Sequence, residues 1–298
     1  MSEHRVLLIE HPAYLSVDLG RLRIRREGYA DVFVLPEDIA VLCLHHHTVT
    51  LTVHVLRAMA EAGAMVLVTD EYHQPCGLQW PYLGKTQMAL RLRQQIALPA
   101  IRRDELWASI VAAKIAMQAA NLRSLGLKGG LRLERLAKQV QAADSSNLEG
   151  QAARVYWKCL FGEEFTRRKQ GATDKLNVML NFGYAVLRSL IARELAMAGL
   201  TPALGLGHAN AENPFNLADD FIEPYRSGVE KRVFAIHLNH ADFDGACRME
   251  LLGFMQEEVG MNRQNYRLPA AIAETIASFC RLLERGKGTL TLPGDNHA

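Results

Sequence analysis

Pro81-Tyr82-Leu83-Gly84, a run of turn formers followed at once by Lys85-Thr86, separates two stretches of opposite periodicity. Upstream, apolar residues alternate as in half-buried strands: Leu22 and Ile24 interleave with Arg21, Arg23 and Arg25. Strands are predicted over 6–9, 14–19, 21–26, 31–35, 39–44, 64–69 and 76–80, with Gly20 making a tight turn between the second and third. Residues 49–62 switch to helical spacing, with Val53, Leu56 and Ala60 on one face and Gly63 as the stop. Downstream, apolar residues recur every three to four positions, predicting helices over 86–96, 101–123, 130–143, 148–160, 174–198, 215–223, 244–260 and 269–285. The fold class is therefore α+β: a small β-rich N-terminal domain, residues 1–84, of about seven strands plus a helix, and a larger all-α C-terminal domain, residues 85–298.

A chain of 298 residues with 49% apolar and 22% charged residues has globular composition and can bury a large core. It has no apolar run of membrane-spanning length and no signal-peptide pattern at the N-terminus. Cys43, Cys76, Cys159, Cys247 and Cys280 are scattered and odd in number, so they read as free thiols of a cytoplasmic protein. The net charge of +2 hides an uneven distribution. Residues 85–138 hold 11 Lys/Arg against 3 Asp/Glu, residues 154–193 hold 8 against 3, and both flanks are acidic. A basic middle between acidic ends points to a polyanion surface.

The loop Gly205-Leu206-Gly207-His208-Ala209-Asn210 and the acidic turn ending at Asp219-Asp220-Phe221-Ile222-Glu223 combine imidazole with carboxylates, the raw material of a divalent-metal site. Asp220 and Glu223, three residues apart, share a helix face, and Pro224 is expected to end or kink that helix. A further ligand must come from elsewhere, and Glu149 is the candidate. It follows Asp144-Ser145-Ser146-Asn147, a run of helix-capping residues, and precedes Gly150, whose presence in a first turn implies a close approach there. The helix over 174–198 carries an apolar stripe (Leu176, Leu180, Gly183, Leu187, Leu190) and beside it a polar one, Asn177, Asn181, Tyr184 and Arg188, suited to phosphate oxygens. Arg154, Lys158, Arg167, Arg168 and Lys175 are further phosphate-contact candidates. His45-His46-His47 cannot easily converge on one metal because adjacent strand residues face opposite sides. A second cluster, His237, His240, Asp242 and Asp244, matches no metal-binding spacing.

Together, Glu149-Gly150, Tyr156, Asn181, Tyr184, Gly207-His208, Asn213-Pro214 and Asp220-Phe221-Ile222-Glu223-Pro224 resemble the CRISPR-associated integrase of spacer acquisition, the Cas-one family, along the whole chain. The phrase from Asn213 to Asp220 is most similar to the branch found beside type II effector nucleases. The resemblance implies a metal-dependent DNA endonuclease and integrase holding Mg²⁺ or Mn²⁺ through Glu149, His208 and Glu223, with Asp220 as the acidic residue beside them. Many relatives place aspartate at the position of Glu223. It also implies attack of a prespacer 3′-hydroxyl on a repeat-border phosphodiester, double-stranded DNA as substrate, and a homodimer formed through the β domain. Two such dimers would flank a dimer of the companion Cas-two protein in a heterohexamer, with participation of the type II effector nuclease left open. The competing readings are a non-catalytic DNA-binding scaffold of the same complex and a stand-alone metal-dependent nuclease.

Overall fold

The computed structural model describes residues 5–70, 75–79, 81, 87–239 and 243–294. The N-terminal portion folds into two four-stranded sheets. One runs β1(Arg5–Ile9)–β5(Ile39–Leu44)–β7(Met65–Thr69)–β8(Pro75–Gln79), parallel except at β8. The other runs β4(Val32–Val34)–β3(Arg21–Arg25)–β2(Tyr14–Asp18)–β6(Thr50–Leu51). Asp18 pairs with Arg21 across a two-residue loop in which Leu19 and Gly20 both have positive φ, the geometry that joins twisted antiparallel strands. Helix α1(Val53–Glu61) begins four residues later than its predicted start, because Thr50 and Leu51 are drawn into a short parallel pairing with Tyr14 and Leu15.

Strand β5 is buried along nearly its whole length, and its side chains serve two cores. Leu42 packs with Leu15, Leu22, Val55, Met59 and Val66 between the sheets and α1. Val41 and Cys43 face the other way and join Leu180, Phe182 and Val186 of the helical portion. A continuous apolar run is what a strand covered on both faces requires.

The helical portion is built around two long helices, α3(Ala100–Ser124) and α6(Lys175–Met197). Around them lie α2(Met88–Ala97), α4(Gly130–Ala137), α5(Leu148–Phe161), α7(Asn216–Ile222), α8(Arg226–Asn239), α9(Gly245–Leu252) and α10(Leu268–Arg285). No helix among the described residues is long and apolar enough to cross a membrane.

Three expectations are corrected. The helix predicted over 130–143 stops at Ala137, and Ala142–Asp144 form a separate 3-10 turn with Ala143 at positive φ. Helix α8 has no counterpart among the predicted helices. Helix α7 does end at Ile222, as expected of Pro224, but Pro224 opens a one-turn 3-10 segment, Glu223–Tyr225, where a missing N–H costs nothing, and the unpredicted α8 follows directly. The helix expected over 244–260 ends at Leu252, so the C-terminal portion is not all-α. The chain enters a hairpin of β9(Glu258–Met261) and β10(Gln264–Arg267) whose loop residues, Asn262 and Arg263, both have positive φ. Val259 and Met261, both buried, alternate with less buried neighbours and carry a period-2 signal.

Candidate metal and nucleic-acid site

Glu149 stands in the first turn of α5, where two capping side chains fix it. Asp144 accepts hydrogen bonds from the N–H groups of Leu148 and Glu149 at 2.8 and 2.9 Å. Asn147, at the N-cap with positive φ, accepts from Gly150 N–H at 3.1 Å. The requirement for glycine follows, since a Cβ at position 150 would lie 2.6 Å from Asn147 Oδ1.

His208 is held by Asp220, a fully buried carboxylate on α7. One Asp220 oxygen accepts from the backbone N–H of Leu206 at 2.5 Å and of Gly207 at 3.2 Å. The other accepts from His208 N–H at 3.0 Å and faces ring Nδ1 at 2.7 Å. A carboxylate opposite Nδ1 makes that nitrogen the protonated one and leaves Nε2 as the lone-pair nitrogen. The hydrogen bond to Asp220 outweighs partial burial and raises the His208 pKa above its ordinary value. Trp107 on α3 closes the other side. Its ring stands edge-on to His208 with centroids 5.5 Å apart, and a Cβ at Gly207 would meet the indole at 2.2 Å.

Glu223 is buried beyond the end of α7. Arg226 pairs with its Oε1 at 2.9 Å. Lys114, from the middle of α3, places its Nζ 2.5 Å from Glu223 Oε2 and 2.6 Å from Glu149 Oε1, so one ammonium bridges two of the three expected ligands. The contact with Glu223 is close but poorly directed for hydrogen bonding, whereas that with Glu149 is a hydrogen bond. Burial alone would raise the Glu223 carboxyl; Arg226 and Lys114 outweigh it and hold the pKa at about 2. The same balance runs the other way at Lys114, where the two glutamates overcome burial and raise the pKa. Sequence reasoning did not single out Lys114, Trp107 or Arg226 as parts of the site. Trp107, Lys114 and Asn121 stand seven residues apart and so lie along one side of α3. Trp107 meets His208, Lys114 meets both glutamates, and Asn121 donates to Tyr156 Oη at 2.6 Å.

Among the described residues, no three His, Cys, Asp or Glu side chains already converge closely enough to hold a metal ion. The donor set nevertheless suits one. Two carboxylates and an imidazole nitrogen match a hard divalent cation, and the Lys114 ammonium is a stand-in cation between the carboxylates. Asp220 has spent both oxygens on the His208 loop and is placed to orient the ring.

The expected phosphate contacts separate into two groups. Arg167, Asn181, Tyr184 and Arg188 line a cleft of about 820 Å³ together with Lys169 and Arg226, opposite Gly77 and Leu78 of β8. Arg167 donates to Asn181 at 2.6 Å and to Asn177 at 2.9 Å, and Arg188 pairs with Asp219 at 2.7 Å. The Nε atoms of Arg167, Arg188 and Arg226 are buried without a hydrogen-bond partner, leaving three guanidinium donors unsatisfied on one cleft. Tyr184 is turned inward, its hydroxyl donating to buried Glu230 at 2.6 Å. Arg154 and Lys158 line a separate groove of about 480 Å³ on α5 with Arg132. Arg168 is exposed and Lys175 half-buried. In the histidine run, His45 is buried against Phe182 while His46 and His47 stack on each other, so His45 is directed away from the other two. His240 and Asp242 lie outside the described residues, and Asp244 caps α9 by accepting from Cys247 N–H.

Residues 6–246 match the family model described as CRISPR associated protein Cas1. A CRISPR-associated endonuclease Cas1 of Neisseria meningitidis serogroup C is 37% identical over 281 residues, covering 92% of this chain and 90% of that protein. Among solved structures, a casposase bound to integration product is similar with a TM-score of 0.81 at 19% identity, covering 96% of this chain and 92% of that one. A chain of a Cas6-RT-Cas1–Cas2 complex has a TM-score of 0.78 at 17% identity, covering all of this chain and 37% of its own.

Proposed function

This chain belongs to the CRISPR-associated Cas1 family, the endonuclease-integrases of spacer acquisition, and on that premise we propose that Glu149, His208 and Glu223 are its metal ligands. The supporting observation is the Lys114 ammonium seated between Glu149 and Glu223, which marks the space between them as a cation position. Mg²⁺ or Mn²⁺ is the class of ion the donors favour, with the imidazole tilting the preference toward Mn²⁺. When bound, such an ion supplies charge stabilisation at the reacting phosphate. Asp220 holds the His208 ring and the Gly207 backbone, and is a positioning residue rather than a ligand. Arg167, Arg188 and Arg226, which line the adjoining cleft, hold the phosphodiester backbone there. A prespacer 3′-hydroxyl loses its proton as its oxygen attacks phosphorus at the repeat border, the phosphorus bond to the 3′-oxygen across that border breaks, and that oxygen takes up a proton from solvent as it leaves. No protein nucleophile is consumed.

The same reading takes residues 1–84 as the dimerising domain and 85–298 as the catalytic, DNA-binding domain of a cytoplasmic protein of the type II branch. Double-stranded DNA and a Cas2-like companion are its partners. Divalent-dependent joining of a labelled duplex to a repeat-containing plasmid tests it. Joining is expected from the wild type with the companion present, and loss of joining without loss of folding in H208A and E223Q. Robust joining by folded H208A would falsify the ligand assignment. DNA binding without joining in Mn²⁺ would instead favour a scaffold, and companion-independent cleavage a stand-alone nuclease.

A further inference from the structure

Glu149 and Glu223 approach from different elements, the first turn of α5 and the segment after α7, and Glu223 is almost completely buried. Two carboxylates brought together, one of them almost wholly out of water, repel each other unless a cation lies between them. Lys114 is that cation, with its side chain only 11% exposed and contacts of 2.6 and 2.5 Å to the two. Arg226 is a second cation on Glu223. Glu149 and Glu223 are therefore matched by two cations, Lys114 and Arg226, while the Asp220 carboxylate is engaged with the His208 loop. A divalent ion entering this arrangement would leave uncompensated positive charge in a buried place, which is costly. The excess is relieved if Lys114 withdraws or if an anion arrives.

We infer that Lys114 is a built-in placeholder cation that keeps the metal-free site assembled and makes metal loading depend on the arrival of a DNA phosphate. In the absence of DNA, its Nζ holds Glu149 and Glu223 in register and competes with the divalent ion for their oxygens. When a phosphodiester enters, the Lys114 ammonium exchanges its carboxylate contacts for the incoming phosphate oxygens. The metal and the substrate are then taken up together, and a metal-loaded site without DNA is disfavoured. The inference rests on the ligand assignment proposed above.

The test is a titration of the full-length protein with Mn²⁺, followed by the electron paramagnetic resonance signal of the free ion, with and without a short DNA duplex. Wild type is expected to bind Mn²⁺ weakly alone and markedly more tightly with duplex. K114M is expected to bind Mn²⁺ alone at least about tenfold more tightly than wild type, a modest share of what removing a neighbouring like charge offers. It is also expected to gain less from duplex, and K114Q, which keeps a donor without the charge, should behave the same way. Equal or weaker Mn²⁺ binding by both variants overturns the inference. A variant that folds only when Mn²⁺ is supplied supports it, since the ion then replaces the lysine; variants unfolded in both conditions show a purely structural lysine and overturn it. E223Q separates the two layers. Retention of wild-type Mn²⁺ binding by E223Q sinks the ligand assignment itself, whereas its loss beside unchanged K114M sinks only the role of Lys114.

Discussion

Replacing Asp220 by asparagine tests whether this carboxylate orients His208 or binds metal itself. Its two oxygens accept four hydrogen bonds: Leu206 and Gly207 N–H on one, His208 N–H and Nδ1 on the other. An amide can reproduce only one oxygen. Turned toward Leu206 and Gly207, its NH₂ faces two donors; turned toward His208, it faces only the backbone N–H, because Nδ1 can accept by changing tautomer, so one or two charge-assisted bonds are lost, at about 1.5–3 kcal/mol each. The expected destabilisation is therefore about 1.5–6 kcal/mol at a side chain with no solvent access. That is a large share of a typical folding free energy, and urea unfolding in EDTA measures it. The loosened imidazole should cost a further ~10–100-fold in Mn²⁺ affinity, the usual effect of losing a residue that orients a ligand. If Asp220 were a direct ligand, the same hydrogen bonds would be lost in EDTA, but the loss of Mn²⁺ affinity would go well beyond the ~10–100-fold expected of a residue that only orients a ligand. Unfolding within about 1 kcal/mol of wild type, with unchanged Mn²⁺ affinity, would refute the positioning role.

Three further outcomes follow from the geometry. G207A should lose about 1–3 kcal/mol and most of its metal affinity, because the new Cβ collides with Trp107; a fully stable, metal-binding G207A would show that the indole can yield. Glu223 titrates at about 2 rather than 4.5, so its ionised form contributes stability that is complete above pH 4.5 and lost as pH falls toward 2. The stability advantage of wild type over E223Q in EDTA, about 3 kcal/mol at neutral pH from this shift, should therefore shrink on acidification, and an advantage that stays constant from about pH 6 to about pH 2.5 rules out that origin. R167A should weaken DNA binding and lower the salt-dependence slope by roughly one, as for a single phosphate contact; an affinity loss with an unchanged slope would assign Arg167 to holding Asn177 and Asn181 alone.

Much of this site was legible in the chain because its parts carry local signatures. Asn147 and Gly150 announce a capped helix start that presents Glu149, and the glycine-rich loop around His208 followed by an acidic turn announces imidazole beside carboxylates. The sheets were readable because Leu22 and Ile24 alternate cleanly with arginines. What escaped had no local signature. Asp220 resembles Asp219 in sequence, and only the three-dimensional return of the Leu206–His208 backbone gives it its role. Lys114 sits amid apolar helix residues far along the chain from both glutamates, so nothing nearby marks it. Helix α8 hid behind Pro224, and its buried side includes Ser227 and Glu230, which blurs the apolar stripe of Val229, Val233 and Ile236. Tyr184, legible as a phosphate donor beside Asn181 and Arg188, turns out to serve a buried carboxylate.

The face of α3 that carries Trp107, Lys114 and Asn121 works as a ruler about 21 Å long, along which the histidine loop, the two glutamates and Tyr156 are each set to a mark. Each residue added to a helix turns everything beyond it by ~100°. A single-codon insertion between Trp107 and Asn121 would therefore leave the composition of the site untouched and yet take its marks out of line together. Tolerance of substitutions in this segment, combined with intolerance of any change in its length, is the pattern that deep mutational scanning should find there.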